Sequence, residues 1–190
     1  MELSWCNFGY HGNKVSGDRA RSIVDRLPMD GAIFVNNIGL TSGLWVLWDS
    51  TQLDVYELST MEQEAHVLVN INSSNSQGSW ILSAVYVSPR LAKRHLLWDN
   101  LSTVARLHNL PWVITSDFNE VLIGGDKFGG KPMNISRALR FQECLDICKM
   151  IDIGFSSARY TWSNNRLFSQ LVQERIDRYF VNAVWYESEC

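Results

Sequence analysis

The chain has no apolar run that approaches the ~20 residues a membrane-spanning helix needs. It opens on no signal-peptide pattern. Both absences predict an intracellular protein. An excess of basic charge is also missing. The net charge is −3 over 190 residues, so the composition does not advertise nucleic-acid binding. Net charge does not exclude a basic groove on a mildly acidic protein. Cysteine is sparse, with Cys6, Cys144, Cys148 and Cys190 the only four. Of these, only Cys144 and Cys148 stand close, at an i, i+4 spacing that shares one helix face. With no His beside them they do not make a zinc site, and buried free thiols in a reducing compartment are expected. There is no internal repeat and no linker-like stretch.

What is present suits one folded domain over 1–190. The apolar fraction of 46% is ordinary for a globular chain, and eight Trp point to broad buried surfaces. "VSGDRARSIVDRL" predicts a first helix, with Ser16 as N-cap and Ile23, Val24 and Leu27 on its apolar side. Five strand-like segments follow, at 32–38, 43–49, 53–58, 65–71 and 79–87. Gly39, Ser42 and Gly43 punctuate one joint and "NSSNSQG" another. Short joints imply antiparallel pairing. Pro89 ends this series. A helix is expected over "RLAKRHLLWDNLSTVARL", with Leu97, Trp98, Leu101, Val104 and Ala105 at helical spacing. Then come the strand "PWVITSDFN", a glycine-rich loop over 124–134, and a helix with Ala138, Phe141, Leu145 and Cys148 on one side. "ARYTWSN" and "ERIDRYFVN" are two further strand candidates. Sheets interleaved with covering helices predict an α/β sandwich.

The chemistry-bearing stretch is "SDFNEV". Asp117 and Asn119 are two residues apart, so on an extended chain both side chains point one way. A carboxylate beside apolar walls needs a partner. A metal ion, a substrate proton and the amide of an Asx-turn are the three options. The loop "GGDKFGGK" does not fit a P-loop, because Lys131 is followed by Pro132 rather than Ser or Thr. His66, His95 and His108 show no partner pattern and none reads as a catalytic base.

"VYVSP", "SDFNEV", "YTWSN" and "RIDRYF", in that order, resemble the endonuclease/exonuclease/phosphatase superfamily, which includes exonuclease III and DNase I. The text between them, such as "LLWDNLSTVARLHNLPWVITSDFNEVL", "DKFGG" and "RALRFQECLDICKMIDIGFSSARYTWSNNR", is most similar to endonuclease domains of plant LINE-type retrotransposons. The likeness runs from about Val15 to Trp185. It implies a four-layer α/β sandwich of two packed mixed sheets with outer helices. It also implies Mg²⁺- or Mn²⁺-assisted hydrolysis of a DNA phosphodiester, nuclear action, and a reverse transcriptase domain in the parent element.

By the same resemblance, Asp117 positions or deprotonates the attacking water and contributes to the metal site, and Asn119 contacts the scissile phosphate. Tyr86 lines the phosphate pocket, with a strand aromatic in the core as the alternative. Asp177 matches an aspartate that the family ties to a catalytic histidine; the alternative is an ion pair with Arg175 or Arg178. Trp162, Asn164, Lys127 and Lys131 are candidate nucleic-acid contacts, with core or solvated-loop roles as alternatives.

The chain also departs from the family pattern. "SWCNFGYHG" exchanges the Asn and Cys of the family's opening strand. Asn7, the remaining candidate metal residue there, is thereby shifted toward the opposite face. The family's metal-binding glutamate falls at Gly12, and its late S-D-H motif would lie past Cys190. Ser116 replaces a glycine. An N- and C-terminally incomplete domain with impaired or absent hydrolysis is therefore expected, with Glu120 or Asp18 as possible replacement carboxylates. The alternatives are a non-catalytic binding protein and a phosphatase acting on small or lipid phosphates.

Overall fold

The computed structural model describes residues 26, 28–35, 44–72, 78–88, 90–155 and 158–188. Asn7, Gly12, Asp18, most of the helix expected over 15–27, the joint at Gly39, Ser42 and Gly43, and Pro89 lie outside the described residues. The chain divides into two compact units, Met1–Tyr86 and Val87–Cys190. Among the described residues no helix is long and apolar enough to cross a membrane.

In the first unit, β1 (Gly31–Val35) and β2 (Leu44–Trp48) pair antiparallel. Gly31 faces Trp48, and a Cβ there would meet the indole at 2.1 Å, so the position is closed to any side chain. Strands β3 (Leu53–Met61), β4 (Glu64–Ile71) and β5 (Ser79–Tyr86) form an antiparallel meander. Their sequences predict this arrangement, because each joint is too short for a crossover. β4 and β5 are buried on both faces, which suits their near-continuous apolar text, whereas β3 is largely exposed. The burial of β4 and β5 traps polar groups. His66 Nδ1 lies 2.6 Å from Ser83 Oγ across the strand pair, and His66 Nε2 lies 3.3 Å from Glu64 Oε2. His66 thus serves the sheet interior.

The second unit runs α1 (Leu91–Leu107), β6 (Trp112–Asp117), β7 (Lys127–Phe128), α2 (Ile135–Ile147), β8 (Met150–Asp152), β9 (Trp162–Ser163), β10 (Gln173–Glu174), β11 (Asp177–Asn182) and α3 (Ala183–Ser188). β11 lies between β6 and β8, antiparallel to both, and β10 lies between β7 and β9. The expected helical stripes become the core. Leu97, Trp98 and Leu101 of α1 and Ala138, Phe141 and Leu145 of α2 are buried. The Trp98 ring stacks on Phe141 at 4.9 Å, and Phe118 packs on Phe141 at 4.9 Å and on Phe180 at 5.1 Å. Aromatic pairs of this kind contribute about 0.5–1.5 kcal/mol each beyond area burial. Asn134 caps α2, accepting from Arg137 N–H at 3.0 Å.

The glycines of "KFGGK" are structural. Gly129 and Gly130 have φ of +69° and +67°, and a Cβ on Gly129 would meet the Leu171 carbonyl oxygen at 2.0 Å. Their absent side chains let the neighbouring chain approach. Strand β8 is not legible in "MID", which is too short to show alternation. It exists because β11 offers it a ladder over Phe180–Asn182.

Candidate active site

Strand β6 meets β11 in the unbroken register Val113↔Val181 through Asp117↔Asp177. Ser116 sits inside this regular ladder and is buried opposite Arg178. Beyond it, Phe118 N–H donates to the Ile176 carbonyl at 2.8 Å. Phe118 and Ile176 are thus the hydrogen-bonded pair, and Asp117 and Asp177 form the adjacent non-hydrogen-bonded pair. In such pairs the Cα atoms are roughly 4.5 Å apart and side chains approach closest. Two carboxylates therefore share one face at a strand end. Like charges placed directly opposite are unfavourable unless a proton or cation sits between or beside them.

Asn119 completes the turn. Its N–H donates to Asp117 Oδ1 at 2.9 Å, which is an Asx-turn. Its φ is +47°, a left-handed conformation that asparagine tolerates better than most residues. Its side-chain Nδ2 donates to the Val87 carbonyl at 2.9 Å, and Val87 N–H donates to the Asp117 carbonyl at 3.2 Å. Turn and site geometry are one object here: the Asx-turn that closes the strand also fixes both polar side chains. The primary amide of Asn119 has a second N–H in its inventory. Tyr86, directly before Val87, closes β5 in the first unit, where its N–H donates to the Gln63 carbonyl at 2.8 Å.

An ion cluster stands behind this turn, and no motif in the sequence names its members together. Glu120 Oε2 pairs with Arg94 Nη1 and with Arg137 Nε at 2.7 Å. Arg94 also donates from Nε to the Ser88 carbonyl at 2.7 Å and from Nη2 to the Asn119 carbonyl at 3.1 Å. Arg137 Nη2 reaches that same carbonyl at 3.5 Å. Burial and the neighbouring Arg137 charge pull the Arg94 guanidinium below its ordinary range, and the Glu120 and Asp117 carboxylates push it back up. Glu120 is only 6% exposed and is committed to two arginines. Its place between these two arginines argues against a role as a replacement metal ligand. A signal for Arg94 was available: with Leu97, Trp98 and Leu101 it occupies one i, i+3, i+4, i+7 stripe of α1.

The alternative partners suggested for Asp177 are engaged elsewhere. Arg178 pairs with Asp126 and, at 2.6 Å, with Asp152, while Arg175 lies 2.9 Å from Asp152. Asp177 points to the opposite face from Arg178 by strand alternation. Its N–H and that of Ile176 both donate to Thr161 Oγ1, at 3.0 and 3.1 Å. Thr161 thereby ties the approach to β9 to the site strand.

The four nucleic-acid candidates lie on or beside the small β7–β10–β9 sheet. Trp162 is half-buried opposite Glu174. Lys127 forms an ion pair with Glu174, its cross-strand neighbour. Asn164 closes its own loop, accepting from Val172 N–H at 3.0 Å and donating to the Gln170 carbonyl at 2.9 Å. Lys131 is exposed.

The donor set suits a hard cation. Among the described residues no group of three His, Cys, Asp or Glu converges on one point. A pair of facing carboxylates nevertheless fits Mg²⁺, which keeps several waters and uses one or two protein carboxylates.

No family model matches the chain, and no curated protein sequence matches it. Solved structures do match. The endonuclease domain of TRAS1, a telomere-specific non-LTR retrotransposon, aligns over 92% of this chain and 83% of its own, with TM-score 0.62 and 13% identity. D. rerio TDP2 complexed with single-strand DNA product aligns over 87% of this chain and 67% of its own, with TM-score 0.52 and 11% identity. A mannosyl-6-phosphatase of Bacteroides thetaiotaomicron aligns over 87% and 67%, with TM-score 0.53 and 12% identity. At these identities the likeness is one of fold. The chain has the mixed α/β, DNase I-like fold of endonuclease/exonuclease/phosphatase proteins.

Proposed function

We propose that this chain is a divalent-metal-dependent phosphodiesterase domain that nicks DNA, with a turnover well below that of a complete family site. The observation that carries the reading is the facing pair Asp117 and Asp177 with Asn119 locked beside them. The fold shared with a retrotransposon endonuclease supports DNA as the substrate. Descent from a LINE-type element, a reverse transcriptase domain as partner and a nuclear site of action belong to the same proposal.

Asp117 and Asp177 would hold Mg²⁺ or Mn²⁺, which supplies charge neutralisation at the phosphoryl oxygens. Asp117 orients the attacking water and takes its proton. Asn119 offers its amide N–H to the scissile phosphate, held in place by the Val87 carbonyl. The reduced rate follows from Gly12, which stands where the family pattern has a metal-binding glutamate. Removing a direct ligand weakens an ion that already relies on few protein contacts.

The test is single-turnover nicking of supercoiled plasmid by excess protein with Mg²⁺ or Mn²⁺, beside Asp117→Ala. Slow nicking that falls by roughly 10²-fold or more in the variant is expected. Nicking equal in wild type and variant would refute the assignment. Phosphate release from small esters without DNA cleavage would move the substrate to that class.

A further inference from the structure

The cluster around Glu120 is costly for a fold to keep. The Arg94 guanidinium and the Glu120 carboxylate are removed from water, with the half-exposed Arg137 beside them, and such groups are often replaceable by apolar side chains with no loss of stability. Stability alone therefore does not explain its place directly behind the Asp117–Asn119 turn.

The hydrogen bonds show what it does. Arg94 is 3% exposed and spends its fork on three acceptors in two segments. The Ser88 carbonyl lies just past the end of β5, and the Asn119 carbonyl and Glu120 carboxylate belong to the turn. The same two segments are joined a second time by Asn119 Nδ2 on the Val87 carbonyl and by Val87 N–H on the Asp117 carbonyl. Asn119 sits at φ +47° between these attachments. A residue in that region persists only where its surroundings over-determine it. Arg137 adds a second donor to the Asn119 carbonyl and to Glu120.

Resting on the proposed hydrolysis, we infer that Arg94 is a positioning residue: its guanidinium, braced by Glu120 and Arg137, holds the Asp117–Asn119 turn in its catalytic geometry. The role needs the planar fork rather than the charge. Lysine offers one compact ammonium and cannot span three acceptors in fixed directions. Arg94→Lys is therefore the informative substitution, since it keeps a cation beside Glu120 and Asp117 and removes the shape.

The experiment measures the full chain and its Arg94→Lys variant in two ways. One is hydrogen exchange of the Asn119 amide, which donates to Asp117 Oδ1. The other is single-turnover nicking as a function of DNA concentration. In the variant, Asn119 exchange is expected to rise about tenfold or more relative to core amides such as Ile114. The maximal nicking rate is expected to fall roughly 10- to 100-fold, with the half-saturating DNA concentration unchanged. Unaltered Asn119 exchange would overturn the inference, as would faster exchange with an unchanged maximal rate. Faster exchange in a protein whose wild type does not nick leaves Arg94 as the brace of the turn and refutes the proposed function instead. If Arg94→Lys does not fold, Arg137→Lys carries the same measurements, because Arg137 is more exposed and reaches the same carbonyl. The same pair of outcomes then decides.

Discussion

Replacing Arg178 tests whether strand β11 is held by charge or by packing. Its side chain is 2% exposed and joins Asp126 from the turn before β7 to Asp152 at the end of β8. Arg178→Met removes the cation, keeps most of the volume, and leaves Asp126, itself 4% exposed, with Arg175 at 3.9 Å as its remaining cation among the described residues and the Ile123 N–H at 3.3 Å. Breaking a buried pair in this way costs about 3–5 kcal/mol. For a chain of this size each kcal/mol lowers Tm by roughly 2–4 °C, so the expected drop is about 6–20 °C. Asp152 keeps Arg175 at 2.9 Å, which places the loss toward the lower end.

The double variant Arg178→Met with Asp126→Leu should recover a good part of the loss. It deletes both charges together, and it also removes the Arg178 Nε–H, a buried donor with no partner among the described residues. Equilibrium urea unfolding of wild type, both single variants and the double variant gives the coupling energy. A loss under about 1 kcal/mol for Arg178→Met, or a double variant less stable than both singles, would show that this account of the buried cluster is wrong.

Other outcomes follow from the same structure. Phe141→Ala empties the centre of the aromatic cluster and should cost about 3–5 kcal/mol in urea unfolding. Hydrogen bonding to Cys148 and burial raise the Cys144 thiol above its ordinary range, while that bond lowers Cys148. Both thiols are buried, so neither should react with a maleimide at pH 7 until the protein unfolds. Hydrogen bonds from the Ser50 hydroxyl and N–H lower the Asp30 carboxyl below its usual value of 3.8. The stabilisation from this depressed group is complete above pH 3.8 and is lost as pH falls through the folded value. The Ser50 amide resonance should therefore titrate with a midpoint below 3.8, and Asp30→Asn should abolish that titration.

Much of the fold was legible because burial leaves a period in the text. Leu97, Trp98 and Leu101, or Ala138, Phe141 and Leu145, announce helix faces, and β4 and β5 announce themselves as continuous apolar runs. Strand β8 left no such mark, since three residues have no period and the pairing that makes them a strand comes from β11. The site divides along the same line. Asp117 and Asn119 were legible as an i, i+2 pair on a strand end. That Asp177 faces Asp117 depends on a register set by the strands that carry them, 60 residues apart in the chain.

The brace was hidden for a different reason. Hydropathy patterning scores Arg94 as a surface residue, yet it stands on the buried stripe of α1. A cation can occupy that stripe only when its partners come from elsewhere, here the Ser88 carbonyl, the Asn119 carbonyl and Glu120. A charged residue in phase with an apolar stripe is thus a sequence-level sign of a buried ionic contact, and the identity of the partner is the part only the fold supplies. Applied to β11 the same reasoning covers Arg178. It alternates in phase with Phe180, which is buried, and out of phase with the exposed Asp177 and Tyr179. The strand places its structural cation and its candidate catalytic carboxylate on successive residues, and the two-residue period of the strand keeps the two chemistries on opposite faces.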